Sequence, residues 1–316
     1  MTSALHIKRI ALIGVGQMGY GLLSRLLSAN FDVHVFDTFQ AAMDRAVGLG
    51  AKRCEKIANA VRSTEAVITM LPTAGIVEQA YLGADGIRAS TAEGGLCIDM
   101  STIDPELAIR IGAAIASVGG EFLDAPVSGG TAKALDGTLT IMAGGSSAAL
   151  ELALPLLNAI GSSTFHVGPN GSGSAAKLAN NLVACSSMVA TAEAFQLGIS
   201  YGINAVTLTK ILENSSGDTW ILRNLHPVGG IRPNAPSSRE YAPGFSTALA
   251  VEMLELIRTA AVARQIPLTV VPALLQIWQL AANHGYADKD FASVYEFIQP
   301  PTQKERLIRS TMIGER

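Results

Sequence analysis

Lys177 and Asn181 are the residues of this sequence whose types and spacing best suit proton chemistry. They lie four apart in Gly171-Ser172-Gly173-Ser174-Ala175-Ala176-Lys177-Leu178-Ala179-Asn180-Asn181, which continues as an alanine-rich apolar stretch to about Ser200. Residues four apart on a helix share a face, so a helix here points the lysine and the amide the same way near its N-terminus. The neighbours Ala175, Ala176, Leu178, Ala179, Leu182 and Val183 offer an ammonium little water. Desolvation lowers a lysine's pKa toward the range useful for proton transfer. Taken alone, the same lysine could lay its stem along the helix and reach solvent.

A second constellation stands near the start of the chain. Ile7 to Ile13 is a β-branched apolar run that reads as a buried strand. It ends in Gly14-Val15-Gly16-Gln17-Met18-Gly19, an apolar helical pattern follows (Leu22, Leu23, Leu26, Leu27), and Asp32 to Asp37 reads as the next strand. Strand, GxGxxG, helix, strand and acid, in that order, make a dinucleotide-binding unit. The first glycine allows the tight turn, the second lets backbone approach a pyrophosphate, and the third lets helix pack on strand. The helix N-terminus turns free N–H groups toward the phosphates. Asp37 can accept hydrogen bonds from ribose hydroxyls and repel a 2′-phosphate, and Thr38, Phe39 and Gln40 supply no arginine to hold one. NAD is therefore expected rather than NADP.

Elements that can position these groups alternate along the first half. Ala66–Leu71, Leu96–Asp99, Glu121–Val127, Thr138–Ala143 and Thr164–Val167 read as strands. Ligands sit at the carboxyl ends of strands in open parallel sheets, which makes Leu71, Pro72 and Thr102 candidate walls of a nicotinamide pocket. Ser128, Gly129 and Gly130 expose backbone N–H groups beside a hydroxyl, a plausible cradle for a carboxylate. Ordinary loop chemistry would account for Leu71, Pro72 and Thr102 equally well, and a flexible turn is the alternative for Ser128-Gly129-Gly130. After Gly168-Pro169-Asn170 the strand signals stop. The expected fold is an α/β Rossmann-type NAD-binding domain, 1–168, followed by an all-α domain, 169–316, for substrate and oligomerisation, linked by a long helix over about 173–200. Asn204 reads as the cap of a helix ending near Asn214. Residues 226–244 read as a long Pro/Gly/Ser-rich loop, of the length usually tied to function. Helices are expected over about 246–265, from Pro267 and Pro272 to near Gly285, and over about 290–299.

Composition narrows the function classes. The 316 residues are 49% hydrophobic and 16% charged, with net charge −3 and few aromatics, which disfavours nucleic acid as a partner. Cys54, Cys97 and Cys185 form no CxxC and read as reduced thiols in a reducing, cytoplasmic compartment. His6, His34, His166, His226 and His284 are scattered without metal-ligand spacing, so no metal is expected. No targeting signal is read at the N-terminus. The stretch 175–199 is apolar enough to raise a membrane span, but Lys177, Asn180, Asn181 and Glu193 make it a buried helix instead. A helix apolar on most sides needs cover, and a homodimer or homotetramer would provide it.

Taken together, GVGQMG, LPT at 71–73, DMSTIDP at 99–105, DAPVSGGTAKALDGTLTIMAGG at 124–145 and GSGSAAKLANN at 171–181 resemble the β-hydroxyacid dehydrogenase family, as do SSGDTW, PSSREYAPGF and KDFASVYEF. The resemblance covers nearly the whole chain. It implies that Lys177 is the catalytic lysine, that Ser128, Gly129 and Gly130 hold the substrate carboxylate, and that Asn181 assists at the substrate. It also implies that Leu71, Pro72, Thr102 and position 252 touch the cofactor. The reaction implied is NAD-dependent oxidation of a short 3-hydroxy acid, such as 3-hydroxyisobutyrate, to its semialdehyde. A tartronate semialdehyde reductase and a threonate dehydrogenase are competitors within the class. Imine reduction is disfavoured by Lys177 and Asp37, and a non-catalytic dinucleotide-binding module by Lys177, Asn181 and the SGG loop together. One departure stands out: the family pattern F-x-x-x-L-x-x-K-D-L is met by Phe245 to Leu254, where Glu252 replaces the lysine and Met253 the aspartate. Ile76 stands where an amide is frequent. A carboxylate at position 252 is expected to favour a substrate with a cationic or polyhydroxyl group.

Overall fold

The computed structural model describes residues 7–300. His6 and most of the segment read for a targeting signal lie outside them. The chain divides into two compact units, Met1–Asn180 with Thr259–Ile266, and Asn181–Arg258 with Pro267–Arg316.

Among the described residues the first unit carries one nine-stranded sheet: β1 Arg9–Ile13, β2 Asp32–Phe36, β3 Lys52–Arg53, β4 Ala66–Thr69, β5 Leu96–Asp99, β6 Glu121–Asp124, β7 Val127–Ser128, β8 Leu139–Gly144 and β9 Gly161–Gly168. The strand order is β3-β2-β1-β4-β5-β6-β8-β7, with β9 on β8. The six strands from β3 to β6 are parallel, and β8 runs antiparallel to β6 and β7. Successive strands step outward from β1 to β3, and the chain then crosses back to β4 on the other side of β1. That reversal opens a crevice at the carboxyl ends of β1 and β4, where dinucleotides bind in such sheets. Both faces of the sheet are covered, so β1 after Arg9, β4 and β5 are buried at every residue rather than at alternate ones. One core joins Ile10, Leu12, Ile68 and Ile98 to Leu22, Leu23 and Leu26 of α1 (Gln17–Ser28) and to Leu156 and Leu157 of α8 (Ser147–Ile160). The opposite core joins Ala11, Ile13, Val67, Cys97 and Phe122 to α3 (Ile57–Arg62), α4 (Ala74–Leu82), α5 (Ile87–Ser90) and α6 (Pro105–Ala116). Each fully buried leucine of α1 contributes about 2 kcal/mol. α2 (Gln40–Gly48) and α7 (Gly130–Asp136) complete the unit's helices before the long one.

Two departures from the sequence reading have plain causes. The strand expected over Glu121–Val127 is interrupted after Asp124, because Pro126 has no N–H to give a ladder. The chain resumes the same line as β7, where Ser128 pairs with Thr140. β3 was not read as a strand: it is two exposed residues long and has no apolar period.

The second unit is helical, as expected. α9 (Ser172–Ser200) begins in the first unit and ends in the second. α10 (Ala205–Glu213) is capped by Asn204, whose Oδ1 accepts from the Val206 and Thr207 N–H groups. α11 (Trp220–Asn224), α12 (Thr247–Ala263), α13 (Val271–Ala281) and the short α14 (Val294–Phe297) follow. The loop over 226–244 is closed by side chains. The buried His226 accepts from the Val228 N–H at Nδ1, 3.1 Å, which leaves Nε2–H to donate to Thr209 Oγ1 at 3.0 Å. Burial pulls its pKa down to about 4, so the ring is neutral. Tyr241 Oη donates to the Pro227 carbonyl, and the buried Asp290 accepts from the Gly244 and Phe245 N–H groups. By length and composition α9 passes the test for a membrane-crossing helix. Its first turn is nevertheless packed against sheet backbone, as the next subsection describes.

Candidate active site

The glycine turn after β1 is built by close approach of backbone. Gly14 has φ +93°, and a Cβ there would fall 2.3 Å from the Met70 carbonyl oxygen. A Cβ on Gly19 would fall 2.0 Å from the Gly14 carbonyl oxygen. Gly16 differs: a Cβ on it would meet nothing within 4 Å. The space that Gly14 and Gly19 leave is filled by protein, whereas the space over Gly16 is open, at the start of α1. No side chain caps that helix and no acid stands in its first turn. Val15, Gly16, Gln17 and Met18 thus offer a backbone cradle that fits a pyrophosphate. Asp37, just past β2, accepts from the Val15 N–H at 2.8 Å through Oδ2 and from the Phe39 N–H at 2.8 Å through Oδ1. It is thereby fixed beside the turn, and its remaining lone pairs suit ribose hydroxyls. The sequence reading missed Arg53, the basic residue on the neighbouring strand edge. Its guanidinium is taken up by Gln40, Asp44 and Glu55. Leu71 stands next to the same turn, with Cδ2 3.1 Å from where a Gly14 Cβ would be. Pro72 is exposed, and Thr102 follows the buried Ser101, whose Oγ accepts from the Leu71 N–H at 2.9 Å.

The start of α9 is fastened to the carboxyl end of β6 by Asp124. This buried carboxylate accepts from the Gly171 N–H at 2.8 Å and from the Ser174 N–H at 2.8 Å. Burial pushes its pKa up, while those N–H donors pull against the rise. Gly173 lies so close to the sheet that a Cβ would fall 2.3 Å from the Asp124 carbonyl oxygen and 2.4 Å from that of Met142. The small residues of GSGS therefore let a helix start directly on strand backbone. Lys177 is one turn beyond Gly173 and half-buried, and Asn181, a further turn on, is buried. Ser128 ends β7, past the carboxyl edge of β6, followed by Gly129 at φ +140° and Gly130 at φ +70°. These conformations explain both glycines. The Lys133 methylenes lie against Gly129, 2.6 Å from where its Cβ would be. The anchoring role of Asp124 was missed at the sequence level. The available signal was an acid at the end of an otherwise apolar strand.

Glu252 belongs to the second unit, where it is exposed on α12 and lines an open cavity of about 460 Å³ with Val251, Gln279 and Asn283. Met253 is buried, 7% exposed. Ile76 is 46% exposed on α4.

Residues 9–168 match the family described as the NAD binding domain of 6-phosphogluconate dehydrogenase. Residues 171–298 match that described as the NAD-binding domain of NADP-dependent 3-hydroxyisobutyrate dehydrogenase. The NAD-dependent L-serine dehydrogenase of Pseudomonas aeruginosa is 42% identical over 294 residues, covering 93% of this chain and 99% of the relative. The mitochondrial 3-hydroxyisobutyrate dehydrogenase of Bos taurus is 36% identical over 290 residues, covering 92% and 86%. A solved structure of Mycobacterium tuberculosis 3-hydroxyisobutyrate dehydrogenase with L-serine superposes with TM-score 0.88 at 33% identity, covering 93% of this chain and 100% of that one. With the glycine turn, the Asp37 carboxylate and the sheet-anchored lysine helix, these likenesses show that the chain is an NAD-dependent dehydrogenase of the β-hydroxyacid dehydrogenase family.

Proposed function

We propose that this enzyme oxidises the primary hydroxyl of a short 3-hydroxy acid, HOCH2–CH(X)–COO−, with Lys177 as the general base. The observation that carries this reading is the anchoring of α9 by Asp124. It starts the lysine's helix at the carboxyl end of β6, the edge beyond which Ser128, Gly129 and Gly130 turn. NAD, when bound, supplies the acceptor for the hydride that leaves the carbinol carbon. The chain's own residues do the rest. Val15 to Met18, Asp37, Leu71, Pro72 and Thr102 hold and face the dinucleotide. Ser128 and the backbone N–H groups of Gly129 and Gly130 take the substrate carboxylate. Neutral Lys177 accepts the hydroxyl proton as the carbonyl forms and returns it in the reverse direction, and Asn181 orients the reacting oxygen. The C–H and O–H bonds break, C=O forms, and the proton rests on Nζ.

Two substituents X have support. The hydroxyisobutyrate relatives favour methyl, and the L-serine dehydrogenase relative favours ammonium, which the carboxylate of Glu252 would also suit. Exposed apolar side chains of the helical unit, among them Val183, Leu197, Tyr201 and Val206, support a homodimer or homotetramer, which light scattering would resolve.

The deciding experiment follows NADH formation at alkaline pH with 3-hydroxyisobutyrate, L-serine, D-glycerate, L-threonate and 3-hydroxypropionate, each with NAD and NADP, for the wild type and Lys177→Ala. Turnover of one of the first two with NAD, abolished in the variant, is expected. Silence on the whole panel while NAD still binds would overturn the reading.

A further inference from the structure

Asp99, the last residue of β5, is enclosed entirely, at 0% exposure, and the chemistry above makes no use of it. Its Oδ1 accepts the hydroxyl of Thr69 at 2.6 Å and that of Ser101 at 2.6 Å, with the Ser101 N–H at 3.3 Å. Its Oδ2 is buried and has no hydrogen-bond partner among the described residues. Because Thr69 gives its proton to Asp99, the 3.0 Å contact between the Thr69 and Tyr81 hydroxyls is donated by the tyrosine. By the same logic Ser101 gives its proton to Asp99 and presents a lone pair to the Leu71 N–H. One carboxylate oxygen therefore sets the direction of every proton in this chain of hydroxyls. An apolar residue would fill the site with less desolvation cost, so the acid calls for a reason.

We propose that Asp99 is a positioning residue of the dinucleotide site: through the Ser101 hydroxyl it fixes the Leu71 backbone, and with it the turns that carry Leu71, Pro72 and Thr102. This rests on the cofactor reading given above. The ionisable groups that face Asp99 are Tyr81 from α4, Cys97 from its own strand and Asp124 from β6, which pairs with it in register. All three are acids. Burial pushes Asp99 up to about 6, with Asp124 adding to the rise, while burial holds Cys97 up at about 12 and Tyr81 well above its ordinary range. Protonation of Asp99 near pH 6 weakens Oδ1 as an acceptor and releases Ser101 from its fixed donor direction. The wall at Leu71 is thereby tied to the charge of an acid that never touches the cofactor.

The test is direct binding of NAD and NADH, by calorimetry and fluorescence, between pH 5 and 8, which needs no substrate. For the wild type, affinity is expected to fall as pH drops through about 6, and Asp99→Asn is expected to remove that inflection. Ser101→Ala should weaken binding about tenfold at pH 7.5, the effect of one lost hydrogen bond to a positioned backbone. Thr69→Val removes the other hydroxyl on the same oxygen but does not touch Leu71, and should weaken binding about twofold or less. Unchanged affinity and an unchanged pH profile in Asp99→Asn and Ser101→Ala would overturn the proposal. So would equal losses in Ser101→Ala and Thr69→Val that track their loss of melting temperature, since that is the mark of a merely structural role. A wild type that binds no NAD would bring down the cofactor reading and this proposal together. A wild type that binds NAD but turns over none of the panel leaves the binding comparison intact.

Discussion

The two ends of the candidate site in the first unit are made by different means. The turn after β1 is made of backbone: Gly14 and Gly19 fit because they have no Cβ, and the space over Gly16 is open. The carboxyl ends of β5 and β6 are made of buried acids: Asp99 and Asp124 lie opposite each other in register and reach Ser101, Gly171 and Ser174. A backbone site is specified by a few consecutive residues. A side-chain site draws on partners 30 to 50 positions apart in sequence, Thr69 with Asp99 and Gly171 and Ser174 with Asp124, brought together only by the fold.

The largest effect should come from the helix that the acid end carries. Lys177→Ala is expected to lower turnover by about 10²- to 10⁴-fold, the range of general base catalysis, while NAD binding survives. Steady-state rates beside a binding titration check it, and turnover within threefold of wild type would remove the lysine from the chemistry. Next is the anchor. Asp124→Ala strips the acceptors from two buried N–H groups and should cost about 3 kcal/mol, with activity falling alongside. Chemical denaturation measures it, and a change below about 0.5 kcal/mol would mean that the start of α9 needs no such fastening.

The glycines sharpen the contrast from the backbone side. Gly19→Ala should destabilise the first unit, since its Cβ would overlap the Gly14 carbonyl, whereas Gly16→Ala should melt like wild type and bind NAD more weakly. Equal stability with equal binding in both would erase the distinction between structural and receiving glycines.

The second unit repeats the acid end's strategy with an imidazole. His226 is buried neutral, with a pKa lowered from the ordinary 6.5 to about 4. A depressed pKa stabilises the fold above the unfolded value, and that stabilisation is lost as pH falls from about 6.5 through about 4. His226→Gln should flatten the acid side of the stability profile over that window, as thermal melts from pH 7 to 4 would show. The smallest effect is expected at Glu252, which is exposed. Glu252→Lys should tighten NAD binding by a few fold without changing the melting temperature. The aspartate of the family pattern at 253 is a poorer substitution, because Met253 is buried and a carboxylate there would be desolvated.

The parts legible in the sequence were those whose evidence is local. GVGQMG after an apolar run, Asp37 after the next, the Lys177 and Asn181 spacing, and the Asn204 cap all lie within single elements or adjacent ones. The break at Pro126 and the two-residue β3 were not legible, because neither has enough periodicity to register. Arg53 was missed for the same reason. Its guanidinium is held by Gln40 and Asp44, a pairing across two elements that no local pattern announces.

The sequence by itself determined the order of strands and helices, the glycine turn and the helix that carries the lysine, since periodicity, glycine geometry and helical spacing act over a few residues. Only the tertiary structure decided which acids are buried and what they hold. Asp99 and Asp124 look alike in sequence, each an acid closing an apolar strand. One orders a chain of hydroxyls and the other the start of a helix, because the crossover order of the sheet, a long-range property, chooses the neighbour each carboxylate meets.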